Sequence, residues 1–364
     1  MRSETSAGLF APLRRLRHLR QTRALRHYLS YVLCRALLAA LGLLPRRMGL
    51  GIGRACGHFF HAISPRHRHI ARANLERAFG PALTPRERLR LARASFAHAG
   101  MIMADSAYFR RCARLPLERL AVFEGTQHLL TAAAGRRGVL VFSGHFGHWE
   151  MVGLLQPRIG VPFSMVVRPL DNGRLDAFLS GLRCATGNEL ISKYAAARGV
   201  LRALRPGRAV GLMIDQNVRG EGGLFVDFFG APASTTPALA IFALKTGAPM
   251  VPMFSYPLED GRLLIRYGEP ILAARRGTLA EDILAITQQC TRRLEEEIRR
   301  RPDCWLWMHN RWRTQPPAEP PRRAAAATGT GSATAPARGP GATEPQSGIA
   351  AAPGSGAARA PTHP

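Results

Sequence analysis

Two histidines and a glutamate lie close together in the segment SGHFGHWE, residues 143–150. The segment directly follows the apolar run 139–142, which is typical of a buried strand, and a glycine precedes each histidine. Three interpretations fit these residue types: a metal site, a general base with its carboxylate partner, or a turn that contains histidine without catalytic function.

A metal site would combine His145 and His148 with Glu150, or with Asp215 from another strand end. The spacing matches no recognised zinc motif, and the glycines at 144 and 147 disfavour a regular helix through both histidines. We therefore expect no bound metal. A metal-dependent hydrolase stays open as a remote alternative.

General-base chemistry requires only a histidine and a carboxylate partner. His145 and Glu150 are five residues apart, which on a continuous helix would rotate them about 140° away from each other. Glycines permit a turn, so His145 can lie at a strand-to-helix junction and Glu150 in the first turn of the helix. Its carboxylate would then accept a hydrogen bond from one imidazole nitrogen while the other nitrogen takes a proton. Because the segment has no GxSxG nucleophile elbow, the nucleophile is expected to be a substrate hydroxyl.

An ordered series of motifs resembles one enzyme family. GHFGHWE is similar to the HX4(D/E) signature of the glycerolipid acyltransferases, in particular the bacterial lipid A biosynthesis acyltransferases, the lauroyl and myristoyl transferases. The resemblance covers roughly residues 28–313 and includes VVRPLDN, RLDAFLSGLR, VGLMIDQN and CWLWMHNRW. Position 148 departs from the family pattern, because histidine stands where asparagine is commoner.

The resemblance implies a role for each candidate residue. His145 would be the general base and Glu150 its orienting partner. Arg168 would stabilise the oxyanion or bind a substrate phosphate, with a surface arginine at a strand end as the alternative. The substrate-binding candidates, for which a strand-terminating turn or core packing is the alternative, are Asp215, Gln216 and Phe229.

The family also implies a reaction and a location. A fatty acyl chain would move from an acyl carrier protein or coenzyme A thioester to a hydroxyl of a membrane lipid, a lipid A precursor, without a cofactor. A lysophospholipid, an ornithine lipid or another glycolipid is the alternative acceptor. The expected partners are the acyl donor, the anionic acceptor lipid and the membrane surface, at the cytoplasmic face of the cell inner membrane.

Strands and helices alternate around these motifs. β-rich runs at 138–144, 162–169, 209–215 and 249–256 are separated by helix-like stretches at 174–186, 195–205 and 237–246. This alternation predicts an α/β sandwich with a mostly parallel central sheet, whose strand ends supply the site. Such a sheet fits the glycerolipid-acyltransferase-like fold that the resemblance implies. A further strand is expected at 262–271 and a solvated surface helix at 279–300.

Composition and the family resemblance together predict four regions. Residues 1–27 form a basic arm, 28–48 a membrane-associated helix, 49–314 the acyltransferase domain with a helical lead-in, and 315–364 a disordered Pro/Ala/Gly-rich tail. Arg35 interrupts the apolar run 28–44 near its centre. An interfacial helix is therefore favoured over a clean span, with a buried amphipathic helix as the alternative.

The charge indicates anionic partners. The formal net charge is +27, and only two of the 51 basic residues are lysines. Such a surface attracts phosphorylated lipids, acidic proteins or nucleic acid. A nucleic-acid-binding protein is a remote alternative, because the sequence contains no known reader motif. The six scattered cysteines predict reduced core residues.

Overall fold

The computed structural model describes residues 11–317, with side chains described from residue 22 onward. The predicted tail from 318 and the first ten residues of the predicted basic arm lie outside the described residues. The helices are α1 (Ala11–Leu43), α2 (Arg46–Ile63), α3 (Pro65–Phe79), α4 (Pro85–Asp105), α5 (Phe109–Cys112), α6 (Thr126–Ala134), α7 (Trp149–Leu155), α8 (Gly173–Arg183), α9 (Ala196–Ala203), α10 (Ala238–Thr246) and α11 (Leu279–Arg300).

A seven-stranded sheet forms the centre of the fold. Its strands are β1 (Ala121–Glu124), β2 (Val139–Ser143), β3 (Phe163–Val167), β4 (Glu189–Ser192), β5 (Ala209–Met213), β8 (Met250–Pro257) and β9 (Leu263–Tyr267). They are ordered β1-β9-β8-β2-β5-β3-β4 and are parallel except for the β8/β9 pair. The predicted α/β class with a mostly parallel sheet is confirmed. A separate hairpin, β6 (Leu224–Phe228) with β7 (Ala231–Thr235), completes the strands.

The strand order brings two chain segments to one point. β2 lies between β8 and β5, all five of its residues are buried, and Ser143 is in register with Met213 of β5. Because the two strands are parallel, the residues that follow them leave the sheet at the same edge. His145 and Asp215, each two residues beyond its strand, therefore emerge side by side.

The predicted helical lead-in is present, and α2 packs closely on α4. Gly49, Gly53 and Gly57 recur every four residues along the buried face of α2. A Cβ at position 53 would lie 2.6 Å from the carbonyl oxygen of Gly100 on α4. The absence of side chains along this stripe lets the two backbones approach each other.

One helix, α1, covers the later part of the predicted basic arm and most of the predicted membrane-associated segment. One side of α1 packs on the domain: Tyr31 contacts Phe178, and the Tyr108 hydroxyl donates to the carbonyl of Leu41 at 2.6 Å. Another side exposes apolar side chains, among them Leu25, Leu29, Leu33 and Leu37. Within the described part of the chain, no helix combines enough length and apolar character to span a bilayer.

The helix α11 is more buried than the sequence analysis predicts. Its charged side exposes residues such as Arg292, Arg293 and Glu296. Its opposite side buries a stripe at four-residue spacing in the core, formed by Ile286, Cys290, Leu294 and Ile298. The helix therefore closes one face of the core.

The cysteines are unpaired, and Cys112, Cys290 and Cys304 are buried as predicted, whereas Cys56 is exposed.

Candidate active site

His145 and Asp215 form the central contact of the site. The ring Nδ1 of His145 lies 2.9 Å from Oδ1 of Asp215, and the backbone N–H of His145 donates to Oδ2 at 2.7 Å. Trp305 Nε1 donates to the same Oδ2 at 2.9 Å. Gly144 permits this approach, because a Cβ there would lie 3.1 Å from Cγ of Asp215. The imidazole is thus held in one orientation by a carboxylate that is itself fixed.

The Asp215 carboxylate and the His145 imidazole stabilise each other's charged forms. Asp215 is only 3% exposed, and burial alone would raise its pKa. The charge and hydrogen bonds of His145, with the bond from Trp305, instead hold the pKa of Asp215 well below its usual range. For His145, burial alone would lower the pKa, but Asp215 and more weakly Glu150 raise it above the ordinary value. Asp215 therefore stabilises the imidazolium form.

The second ring nitrogen of His145 faces the open side of the site. When Nδ1–H donates to Asp215, Nε2 carries the lone pair, and the exposed Gln216 places its amide nitrogen 3.4 Å from it. The His145 side chain is 21% exposed, so this nitrogen can be reached. The arrangement can accept a proton at Nε2 and stabilise the resulting cation at Nδ1.

Glu150 lies in the first turn of α7, as predicted, but the predicted hydrogen bond to the imidazole is not formed. Its carboxylate oxygens accept hydrogen bonds from Arg183, from Nε at 2.8 Å and from Nη2 at 2.6 Å. Asp215 holds Nδ1 instead, because it follows the neighbouring parallel strand and already bonds the backbone of His145. Glu150 acts on His145 through its charge, which raises the imidazole pKa.

His148 belongs to a different, buried cluster. Its Nδ1 accepts from the backbone N–H of Met151 at 3.1 Å and caps α7, so Nε2 carries the proton that it donates to Asp105 at 2.8 Å. Arg46 donates to both oxygens of Asp105, at 2.7 and 2.5 Å. Burial opposes ionisation of Asp105, but these hydrogen bonds lower its pKa to about 2. The two histidines therefore bond separate carboxylates, and the described residues contain no cluster of three metal-ligating side chains.

The segment around Trp305 holds the histidine loop in place. The N–H of Gly147 donates to the carbonyl of Cys304 at 2.9 Å, and the N–H of Leu306 donates to the carbonyl of His145 at 3.2 Å. Gly147 has a φ of +56°, and a Cβ there would collide with the carbonyl oxygen of Ser255. The turn expected between His145 and Glu150 is therefore present, and it requires glycine at 147.

The remaining candidates lie in two places. Arg168 follows β3, which pairs with β5, so it leaves the sheet at the same edge as Asp215. Its guanidinium is exposed and forms no ion pair or hydrogen bond within the described residues. Phe229 instead lies in the β6–β7 turn, where its buried ring packs on Phe79 and Phe228. The structure therefore places Phe229 in the core.

Two residues of the site, Arg183 and Trp305, are not among the candidates that the sequence predicts. Both fall inside motifs that carry the resemblance, RLDAFLSGLR and CWLWMHNRW. Their partners are 33 and 90 residues away along the chain, so only the tertiary structure reveals the contacts.

The fold and the site define a class: an α/β protein with a histidine–aspartate pair at the carboxyl edge of a mostly parallel sheet. Comparison with known proteins identifies the family within it. Residues 17–314 match the sequence model described as "Bacterial lipid A biosynthesis acyltransferase". The chain belongs to this family and is an acyltransferase.

Three known proteins are each similar to this chain over most of its length. The lipid A biosynthesis lauroyltransferase of Escherichia coli is 26% identical over 283 residues, which are 76% of this chain and 87% of the relative. A phosphatidylinositol mannoside acyltransferase of Mycolicibacterium smegmatis is 28% identical over 254 residues, covering 66% and 78%. A solved 1-acyl-sn-glycerophosphate acyltransferase from Thermotoga maritima aligns at a TM-score of 0.33 with 14% identity, over 71% of this chain and all of that chain.

Proposed function

We propose that this chain transfers a fatty acyl group from an acyl carrier protein or coenzyme A thioester to a hydroxyl of a lipid A precursor. The observation that carries the chemistry is the His145 ring, which Asp215 holds through Nδ1 while Nε2 stays accessible. Family membership supports the reaction class, and the E. coli relative, named as a lauroyltransferase of lipid A biosynthesis, supports the acceptor.

The reaction begins with proton transfer. Nε2 of His145 takes the proton of the acceptor hydroxyl as its oxygen attacks the thioester carbonyl carbon. The tetrahedral intermediate collapses with cleavage of the carbon–sulfur bond, and the imidazolium gives its proton to the departing thiolate. Asp215 stabilises the imidazolium between the two transfers. General-base assistance of this kind contributes about 10²- to 10⁴-fold.

Arg168 is the proposed stabiliser of the negative charge that develops on the thioester oxygen. Its guanidinium lies beyond β3 at the same sheet edge as the histidine–aspartate pair and has no competing carboxylate among the described residues. A guanidinium can bind an oxyanion or a substrate phosphate through paired hydrogen bonds. Gln216, whose exposed amide lies beside Nε2 of His145, is positioned to contact the acceptor.

Glu150 has a supporting role in this proposal. Its carboxylate neutralises Arg183, a cation that by itself lowers the pKa of His145. The ion pair therefore keeps the imidazole basic, although Glu150 does not bond the ring. Loss of Glu150 would leave the charge of Arg183 uncompensated beside the general base.

The exposed apolar side chains of α1 and α2 support association with the cytoplasmic face of the inner membrane. On α1 they include Leu29 and Leu33, and on α2 Ile52 and Phe59. Arginines such as Arg35 on the same helices can bind anionic headgroups. A helix with these properties lies in the membrane interface.

A different glycolipid is the second candidate acceptor. The M. smegmatis relative, named as a phosphatidylinositol mannoside acyltransferase, favours it. Mass spectrometry of membrane lipids from cells with and without this chain distinguishes the two. Loss of one acyl chain from lipid A supports the proposal, whereas an unchanged lipid A with an underacylated glycolipid or phospholipid contradicts the proposed acceptor.

A further inference from the structure

A basic cavity lies outside the histidine–aspartate site, lined by α2 and α4 together with the end of β8 and the segment that follows α11. Its volume is about 960 Å³, and five arginines and two histidines face only two carboxylates in its lining. Four of these arginines, here called the cavity arginines, come from the two helices: Arg54, Arg86, Arg90 and Arg93.

Both carboxylates in the lining have other partners. Glu87 closes the capping box of α4 by accepting from the backbone N–H and the hydroxyl of Thr84, at 2.8 and 2.7 Å. Asp303 accepts two hydrogen bonds from Arg301, at 3.0 and 2.9 Å. The cavity arginines therefore face the space without an ion pair to any described residue.

The spacing of the cavity arginines concentrates positive charge. Arg86, Arg90 and Arg93 are four and three residues apart, so their side chains leave the same face of α4. Like charges at this spacing repel each other, and a bound anion removes that repulsion. Guanidinium groups bind phosphate oxygens through paired, charge-assisted hydrogen bonds, so a phosphate group is the anion that this lining fits best.

Two observations indicate where the ligand comes from. The inner wall includes His98, whose Nε2 donates to the carbonyl of Gly147 at 3.0 Å, so the cavity borders the histidine loop. The outer side of α2 exposes Ile52, Phe59 and Ile63. The helix that supplies Arg54 and His58 thus carries the apolar surface proposed to meet the membrane. The volume suits a headgroup, whereas docking of a carrier protein requires a much larger surface.

We propose that this cavity binds the phosphorylated headgroup of the lipid acceptor. The inference rests on the proposed function for the identity of that lipid, and on the cavity arginines for its chemistry. A headgroup bound there lies beside the loop that carries His145. This position would hold a hydroxyl of the same lipid near the general base.

Vesicle binding by the full chain tests the proposal. One set of phosphatidylcholine vesicles contains phosphatidic acid, which exposes a phosphomonoester, and the other contains phosphatidylglycerol at matched surface charge. The wild-type chain is expected to prefer phosphatidic acid. In the variant Arg90→Gln/Arg93→Gln that binding should weaken by about 10- to 30-fold, since each arginine at an anionic surface contributes a factor of roughly three to five.

A matched variant controls for charge. Arg198→Gln/Arg275→Gln removes the same charge from exposed positions that do not line the cavity, and it should keep the preference for phosphatidic acid. Circular dichroism verifies that each variant is folded. Equal weakening in both variants, or an unchanged preference in the cavity variant, overturns the proposal. Binding of inorganic phosphate without a preference for phosphatidic acid vesicles overturns the assignment to a lipid.

The variant His145→Ala separates this inference from the proposed function. It should lose acyl transfer and keep the preference for phosphatidic acid. If the wild-type chain transfers no acyl group while its lipid preference depends on the cavity arginines, the proposed function fails and the cavity assignment stands. If transfer depends on His145 while the preference does not depend on these arginines, the cavity assignment alone fails.

Discussion

The substitution Asp215→Asn tests how the general base is held. Oδ2 of Asp215 accepts from the backbone of His145 and from Trp305, whereas Oδ1 accepts only from Nδ1 of His145. An asparagine whose oxygen keeps the two bonds at Oδ2 points its amide NH₂ at Nδ1. Two donors would then face each other, so the ring must place its proton on Nε2. In that tautomer Nε2 cannot accept the proton of the acceptor hydroxyl.

The expected cost is the loss of general-base assistance. We predict that kcat falls by about 10²- to 10⁴-fold, which corresponds to roughly 3 to 5 kcal/mol of transition-state stabilisation. The acid limb of kcat/KM also moves. Burial lowers the pKa of His145 and Asp215 raises it above the ordinary value, so without the carboxylate the base stays deprotonated to lower pH. The remaining activity of the variant should therefore persist at lower pH than that of the wild type.

Steady-state acyl transfer across the pH range measures both effects. Trp305→Phe serves as the control, because it removes one hydrogen bond to Asp215 and leaves the contact with Nδ1. A net hydrogen bond is worth about 1 kcal/mol, so its rate loss should stay below roughly tenfold. Near-normal kcat and an unmoved acid limb in Asp215→Asn would refute the assignment of Asp215 as the partner of His145.

Three further predictions concern the surrounding structure. Glu150→Gln should lower kcat by about 10- to 100-fold, the range expected for loss of a charged hydrogen bond, because the charge of Arg183 is then uncompensated. Adding Arg183→Gln should restore part of the rate, and no recovery in this double-mutant kinetic cycle would contradict the electrostatic role of Glu150. Asp105→Asn should lower the free energy of unfolding by about 3 to 5 kcal/mol at pH 7, because it breaks a buried ion pair. In denaturant unfolding this deficit should shrink as the pH falls from about 4 towards about 2, where the wild-type carboxyl begins to take up its proton, and a pH-independent deficit would argue against an ionised Asp105. Leu29→Glu/Leu33→Glu should shift the full chain from the membrane to the soluble fraction in a cell fractionation, whereas unchanged membrane recovery would exclude this face of α1 as the contact.

The local sequence pattern predicts the strands at the centre of the sheet. The runs that contain β2, β3, β5 and β8 are apolar and bounded by glycine or proline, so they predict strands from sequence alone. The sequence does not predict the short strands β1 and β4, because a strand of four residues is too short to show a clear periodicity.

The sequence does not predict the β6–β7 hairpin either, for a different reason. Its two turn residues, Phe229 and Gly230, both have positive φ, at 57° and 75°. Such a turn usually contains asparagine and glycine, and a phenylalanine hides that signal. Here tertiary contacts hold the turn: the N–H of Phe229 donates to Glu295, and the guanidinium of Arg299 lies 4.4 Å from the centre of its ring.

The site shows the same division between local and long-range information. His145 at a strand end and Glu150 in the first helical turn follow from the glycines and the spacing. The side chains that bond His145 and Glu150 do not follow from these local features. Asp215 was predicted to bind substrate, and its contact with His145 depends on β2 and β5 being neighbours, which local sequence does not specify. The pairing of Glu150 with Arg183 likewise depends on how α8 packs beside α7.

The most direct test of the central claim is acyl transfer in vitro with the wild-type chain and His145→Ala. Purified protein receives an acyl carrier protein thioester and a lipid A precursor in mixed micelles, and mass spectrometry measures the acylated lipid. We predict an acylated product with the wild-type chain and a rate at least about 10²-fold lower with His145→Ala, whose circular dichroism spectrum should match that of the wild type. Near-normal transfer by a folded His145→Ala variant would contradict the account.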